Sequence, residues 1–210
     1  MTPISVADGV YVAVGTISAL LRSADPPAYA VRAAAAMPRW RAREHLAARI
    51  LLRQLLAGAL GDRAAQAPVR ATAGGQPYLP GLPGIGVSLS HAGDLVSTAV
   101  STSGGAVGVD VEPPRDPDPA LASRCCGPAA AAALAAWPAA DRPAEFSRMW
   151  TVKEACVKAR GRGLAGAPWR VPVWPGQRSG TWDGLRWRSL PLPVPVSCAY
   201  AGPERKEASR

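Results

Sequence analysis

Residues 85–112 read IGVSLSHAGDLVSTAVSTSGGAVGVDVE, and their alternation decides the class of fold. Three runs rich in β-branched residues, 85–89, 95–101 and 106–111, are separated by Ala92-Gly93-Asp94 and Ser103-Gly104-Gly105. Short apolar alternation broken by such turn residues predicts β-strands, here an antiparallel meander. The last run ends Gly108-Val109-Asp110-Val111-Glu112. Side chains alternate along a strand, so Asp110 and Glu112 share one face while Val109 and Val111 point to the core. Two neighbouring carboxylates repel unless a proton or cation intervenes. A hard divalent ion such as Mg²⁺ suits such oxygens and leaves room for phosphate. A solvated strand end is the plainer alternative.

Downstream, residues 144–160 predict a helix stopped at Gly161-Arg162-Gly163. Glu154 and Lys158 are four apart and share a helical face. Lys153 lies on the flank, in reach of a separate phosphate. An exposed ion pair would explain Glu154 and Lys158 equally well, but lysine is scarce: there are 3 against 21 arginines. Upstream, the first strand run ends in Ser88-Leu89-Ser90-His91, which brings a hydroxyl and an imidazole to a strand end. Gly74-Gly75-Gln76-Pro77 reads as a tight turn in a loop over 68–84. Residues 39–60 predict a long helix with Leu46, Ile50, Leu51, Leu55 and Ala59 on one face. Residues 4–14 predict a first strand, and Pro26 and Pro27 mark a break within 24–38. Residues 113–119 read as a proline-rich linker, and 128–136 as helix. The segments VPVWP, GLRWRSL and VPVSCAYA suit edge and hairpin strands, and residues 203–210 read as frayed.

The order of elements predicts an α+β fold. Two similar α/β subdomains, 1–103 and 104–210, would be related by a pseudo-twofold with a ligand cleft between them. The 210 residues allow a real core, 48% of them being hydrophobic. No run reaches membrane-helix length, and the start lacks the features of a secretory signal. A cytoplasmic protein is expected. The four cysteines have no metal-site spacing and are expected to be reduced. A net charge of +9 suits an anionic partner. GC-rich coding that inflates arginine is the neutral account of that charge. A nucleic-acid-binding module is permitted by charge alone, but the arginines form no tract and no stacking pattern accompanies them.

Together, Ser90-His91, Gly108-x-Asp110-x-Glu112 and Trp150-x-x-Lys153-Glu154-x-x-x-Lys158-x-x-Gly161-x-Gly163 resemble the phosphopantetheinyl transferases of the type that activates surfactin synthetase. The resemblance covers roughly residues 38–165. It implies coenzyme A bound between two subdomains of a monomer, and a serine of an acyl or peptidyl carrier protein as acceptor. It also implies adenosine 3′,5′-bisphosphate as the second product. By resemblance, Asp110, Glu112 and Glu154 would hold Mg²⁺. Glu154 or a metal-bound water would act as general base, and Lys158 would assist the leaving group. His91 would contact a coenzyme A phosphate with Ser90 beside it, and Arg43 and Arg49 would meet the adenosine 3′-phosphate. Gln76 departs from the lysine or arginine that the family often carries before Pro77, so that phosphate contact lacks a charge. The other outcome of such a departure is a coenzyme-A-binding relic without transfer activity. No contact with nucleic acid or membrane is expected.

Overall fold

The computed structural model describes residues 3–202. Its first half contains β1 (Ile4–Ala7), β2 (Val10–Thr16), α1 (Ile17–Ser23), α2 (Ala28–Ala34), α3 (Arg39–Leu60), α4 (Asp62–Ala65), β3 (Arg70–Ala71), β4 (Pro77–Tyr78), β5 (Gly86–Ala92) and β6 (Leu95–Ser101). Its second half contains β7 (Val107–Val111), α5 (Pro119–Cys126), α6 (Pro128–Ala135), α7 (Arg142–Ala159), two short 3₁₀ turns, β8 (Ser179–Trp182), β9 (Leu185–Ser189) and β10 (Val196–Ala201). The frayed tail expected over 203–210 lies outside the described residues.

Two antiparallel four-stranded sheets form, in the orders β1-β2-β6-β5 and β7-β10-β9-β8. The first packs on α3 and the second on α7, which gives two sheet-and-helix modules consistent with a duplicated α/β architecture. Strand alternation assigns the faces. Ala13, Val96 and Val100 join Ile50, Leu51 and Leu55 of α3 in one core. Their strand neighbours Val12 and Ala99 turn the other way and meet Val109, Val111 and Cys198 of the second sheet. Trp187 and Ala199 face α7 with Met149, Val152 and Cys156. The layers therefore run α3, first sheet, second sheet, α7, with a shared core in the middle.

Several expectations need correction. Residues 4–14 form not one strand but a hairpin, because Gly9 takes a positive φ of 66° and turns the chain. The 24–38 stretch contains α2 despite its prolines, since Pro27 precedes the first turn, where a missing N–H is harmless. The run after β6 does not complete a meander. β7 leaves the first sheet and pairs with β10, with Asp110 opposite Ser197. The segment VPVWP is not a strand, although Val171 and Val173 are buried. Helix α5 follows the proline-rich stretch, where the sequence predicts no helix. It is a short helix that starts where Asp118 caps it by accepting from the Leu121 N–H at 2.8 Å.

Helix α7 is almost wholly buried, polar residues included. Glu145, 4% exposed, accepts from Arg148, Arg178 and the Gly176 N–H. Burial alone would raise its pKa, but these donors outweigh it and hold the carboxyl at about 2. The pair ties the helix start to the 174–178 loop. All four cysteines are free. Among the described residues no helix is long and apolar enough to cross a membrane.

Candidate active site

The site begins with Gly108. A methyl group there would collide with the Ala155 carbonyl and lie 2.5 Å from the Ala159 nitrogen. Only glycine lets the backbone of α7 lie so close on β7. That approach sets Glu154 and Lys158 over Asp110, the next residue on the same strand face. Asp110 is 3% exposed. Lys158 Nζ donates to Asp110 Oδ1 at 2.5 Å and to Ser90 Oγ at 2.9 Å. Ser90 Oγ donates to the same Oδ1 at 2.6 Å. On β5, Ser88 and Ser90 face β7, and the Val109 N–H donates to Ser88 Oγ at 3.1 Å. Strand pairing, helix packing and side-chain bonds thus join the two halves at one point.

Both contacts to Asp110 use one oxygen. Asp110 Oδ2 and Glu154 Oε1 are buried without a hydrogen-bond partner. The plainer alternative, a surface pair of Glu154 with Lys158, does not form, since Lys158 turns to Asp110. Burial first, and then the charge of Asp110, raise the pKa of Glu154. The same two causes push Glu112 up to about 7. Asp110, Glu112 and Glu154 thus lie within one another's electrostatic reach.

A pocket of about 200 Å³ opens beside Lys158. Gln76, Pro77 and Ser88 line it from the first half, and Lys158, Gly161 and Gly163 from the second. A second cavity of about 150 Å³ lies between Glu112, Arg115, Cys125, Phe146 and Trp150.

His91 lies on the opposite face of β5 from Ser90. Arg41 Nη1 meets its Nε2 at 2.6 Å, and Glu44 Oε1 lies 3.4 Å from Nδ1. Arginine can only donate, so Nε2 accepts and Nδ1 carries the proton. Burial is the main cause that lowers this histidine's pKa, which agrees with a neutral ring. Arg41 and Glu44 were missed in the sequence, although their i,i+3 spacing at the start of a long helix was available to read. Arg43 is exposed, and Arg49 is partly buried with an unpartnered Nε. Neither lines the 200 Å³ pocket. Lys153 overturns its expectation outright. It is 0% exposed and donates to the Val171 carbonyl, so it reaches no phosphate. The helix turns its flank into the second core, not into solvent.

Residues 106–175 match the sequence profile of the 4′-phosphopantetheinyl transferase superfamily. The chain is 34% identical over 91 residues to the 4′-phosphopantetheinyl transferase psf-1 of Bacillus pumilus, covering 43% of this chain and 38% of that protein. It is 30% identical over 91 residues to a 4′-phosphopantetheinyl transferase of Bacillus subtilis, covering 43% of this chain and 40% of that protein. The similarity thus spans well under half the length of either relative. The matched superfamily segment contains Asp110, Glu112, Glu154 and Lys158. Among the described residues, no three His, Cys, Asp or Glu side chains already converge as a metal-holding group. The donor chemistry nonetheless fits a hard cation. Asp110 Oδ2 and Glu154 Oε1 are buried carboxylate oxygens without a partner, and Lys158 is the cation that now meets Asp110 through its other oxygen.

Proposed function

We propose that this protein transfers the 4′-phosphopantetheine group of coenzyme A to a serine of an acyl or peptidyl carrier protein, with release of adenosine 3′,5′-bisphosphate. The observation that carries the reading is the Ser90–Asp110–Lys158 network at the edge of a pocket shared by both halves. Its residues come from β5, β7 and α7, and the last two lie in the superfamily segment.

In this reading Asp110, Glu112 and Glu154 hold Mg²⁺. Bound there, the ion would neutralise charge on the pyrophosphate oxygens. The remaining roles fall to the chain. Lys158 lines the pocket, so its ammonium can meet the charge that builds on the leaving phosphate. Asp110 and Ser90 hold that ammonium in place. Glu154 takes the proton of the carrier serine as general base. Arg41 and His91 offer donors to a phosphate at the α3 end of β5, and a bound anion would favour the protonated ring. Gln76 and Pro77 line the pocket and contact the nucleotide through hydrogen bonds and packing. Arg43 and Arg49 lie further along α3 as auxiliary charges. The chain is divided at 103/104 in this proposal, so that the acidic cluster belongs to the C-terminal subdomain. It acts as a cytoplasmic monomer.

The test is intact-mass spectrometry of an apo carrier protein incubated with this chain, coenzyme A and Mg²⁺. One phosphopantetheine should be gained, and the gain should vanish with EDTA. Asp110→Ala should abolish metal-dependent turnover while the circular dichroism stays that of the wild type. Normal turnover in that variant would remove Asp110 from the site. Coenzyme A binding without transfer to any carrier would replace the enzyme by a binding relic.

A further inference from the structure

Lys153 is a buried amine that the proposed chemistry does not use. It is 0% exposed, among Val152, Cys156 and Val171 of the second core. No carboxylate pairs with it among the described residues. Its hydrogen bond is to the backbone carbonyl of Val171. An ammonium or amine with so few partners in an apolar core is a costly group to bury. Methionine would fill the same length without that cost.

The bond closes a loop. Residues 161–171 leave α7 at Gly161, whose N–H donates to the Lys158 carbonyl at 2.9 Å. The Arg162 N–H donates to Val157 at 3.1 Å. Lys153 holds the far end. Gly161 at the near tether and Gly163 just beyond it line the second-half wall of the 200 Å³ pocket with Lys158. Gly161 has φ 67°, and a methyl group on it would sit 2.5 Å from Gln76 Oε1 of the opposite half. The wall is therefore in close register with Gln76, and a small shift of residues 161–171 would change the width of the pocket.

We infer that Lys153 is a positioning residue that clamps residues 161–171 to α7 and so sets the width of the pocket, at a cost to stability. The inference deepens the transferase reading and rests on it for the identity of the ligand. Lys153→Met and Val171→Ala separate the clamp from the packing, since the second variant keeps the carbonyl. Lys153→Met should melt at or above the wild-type temperature. It should exchange the 161–171 amides about tenfold faster, with β7 unchanged, and bind coenzyme A about tenfold more weakly by calorimetry. Val171→Ala should melt lower and keep wild-type affinity. A Lys153→Met protein that is insoluble, or that melts lower, would make the lysine structural and overturn the inference. Unchanged exchange over 161–171 would overturn it too. If the wild type binds no coenzyme A, the transferase reading falls, while the exchange comparison still decides the clamp.

Discussion

Glu112, just past the end of β7, has a carboxyl raised to about 7, first by burial and then by Asp110. Its folded-state pKa exceeds the ordinary value of 4.5, so between these values the folded protein holds more proton than the unfolded chain. Stability then falls as pH rises through that window. Without divalent ions, the melting temperature should drop between about pH 5 and pH 7, and Glu112→Gln should flatten the drop. Mg²⁺ should flatten it as well, because a cation favours the ionised carboxylate. A scan of melting temperature against pH, with and without Mg²⁺, checks all three statements. A wild-type slope that survives in Glu112→Gln would assign the titration to another group. Alternation along the strand already showed that Asp110 and Glu112 share a face. It did not show that Asp110 would spend one oxygen on Lys158 and Ser90 and leave the other free, because that depends on residues 20 and 48 positions away.

At the scale of elements, the site exists because α7 lies against β7 over Gly108. Gly108→Ala puts a methyl group into the Ala155 carbonyl and beside the Ala159 nitrogen. Both obstacles are backbone, so no rotamer change relieves them. The helix must lift, which should cost about 1–3 kcal/mol or more by the measure of overpacked cores. Lifting also draws Glu154 and Lys158 away from Asp110. The variant should therefore lose turnover out of proportion to its stability, even at a temperature where it is fully folded. Denaturant unfolding and the carrier-protein assay, run on the same preparation, check the two effects. Equal stability and turnover to the wild type would mean that α7 does not need its close seat. The helix over 39–60 was legible because its apolar residues recur on one face, and that over 144–160 because it runs without a Gly or Pro up to Gly161. The flank of α7 was misread at Lys153, since helical spacing gives a face but not which faces are covered. In α7 nearly every face is covered.

On the scale of the whole molecule, the two modules were legible from element order, but the partner of β7 was not. Residues 106–111 follow β6 after a Gly-Gly turn, and local sequence favours a hairpin back onto it. The strand instead pairs with β10, some 85 residues later by the register of Val111 with Val196, because Val109 and Val111 find their core between the sheets. The net charge of +9 is also a property of the whole chain. Arg39, Arg41 and Arg43 stand exposed at the start of α3, where the helix dipole already places positive charge; no acidic residue lies in the first turn, and of these three arginines Glu44 pairs with Arg41 alone. An acidic carrier protein would be drawn to such a surface before docking. Screening shortens that attraction, since the Debye length falls from about 10 Å at 0.1 M to about 3 Å at 1 M salt. Steered association should therefore weaken: kcat/KM for the carrier should fall by about tenfold between low and high salt, with kcat nearly constant. Arg39→Glu, a change outside the proposed site, should lower kcat/KM at low salt and reduce the slope. It should leave the melting temperature level or higher, because a carboxylate suits a helix N-terminus better than a guanidinium. Stopped-flow or steady-state rates across a salt series decide it. A flat wild-type series would mean that the carrier docks on apolar contacts and that the arginines serve coenzyme A alone.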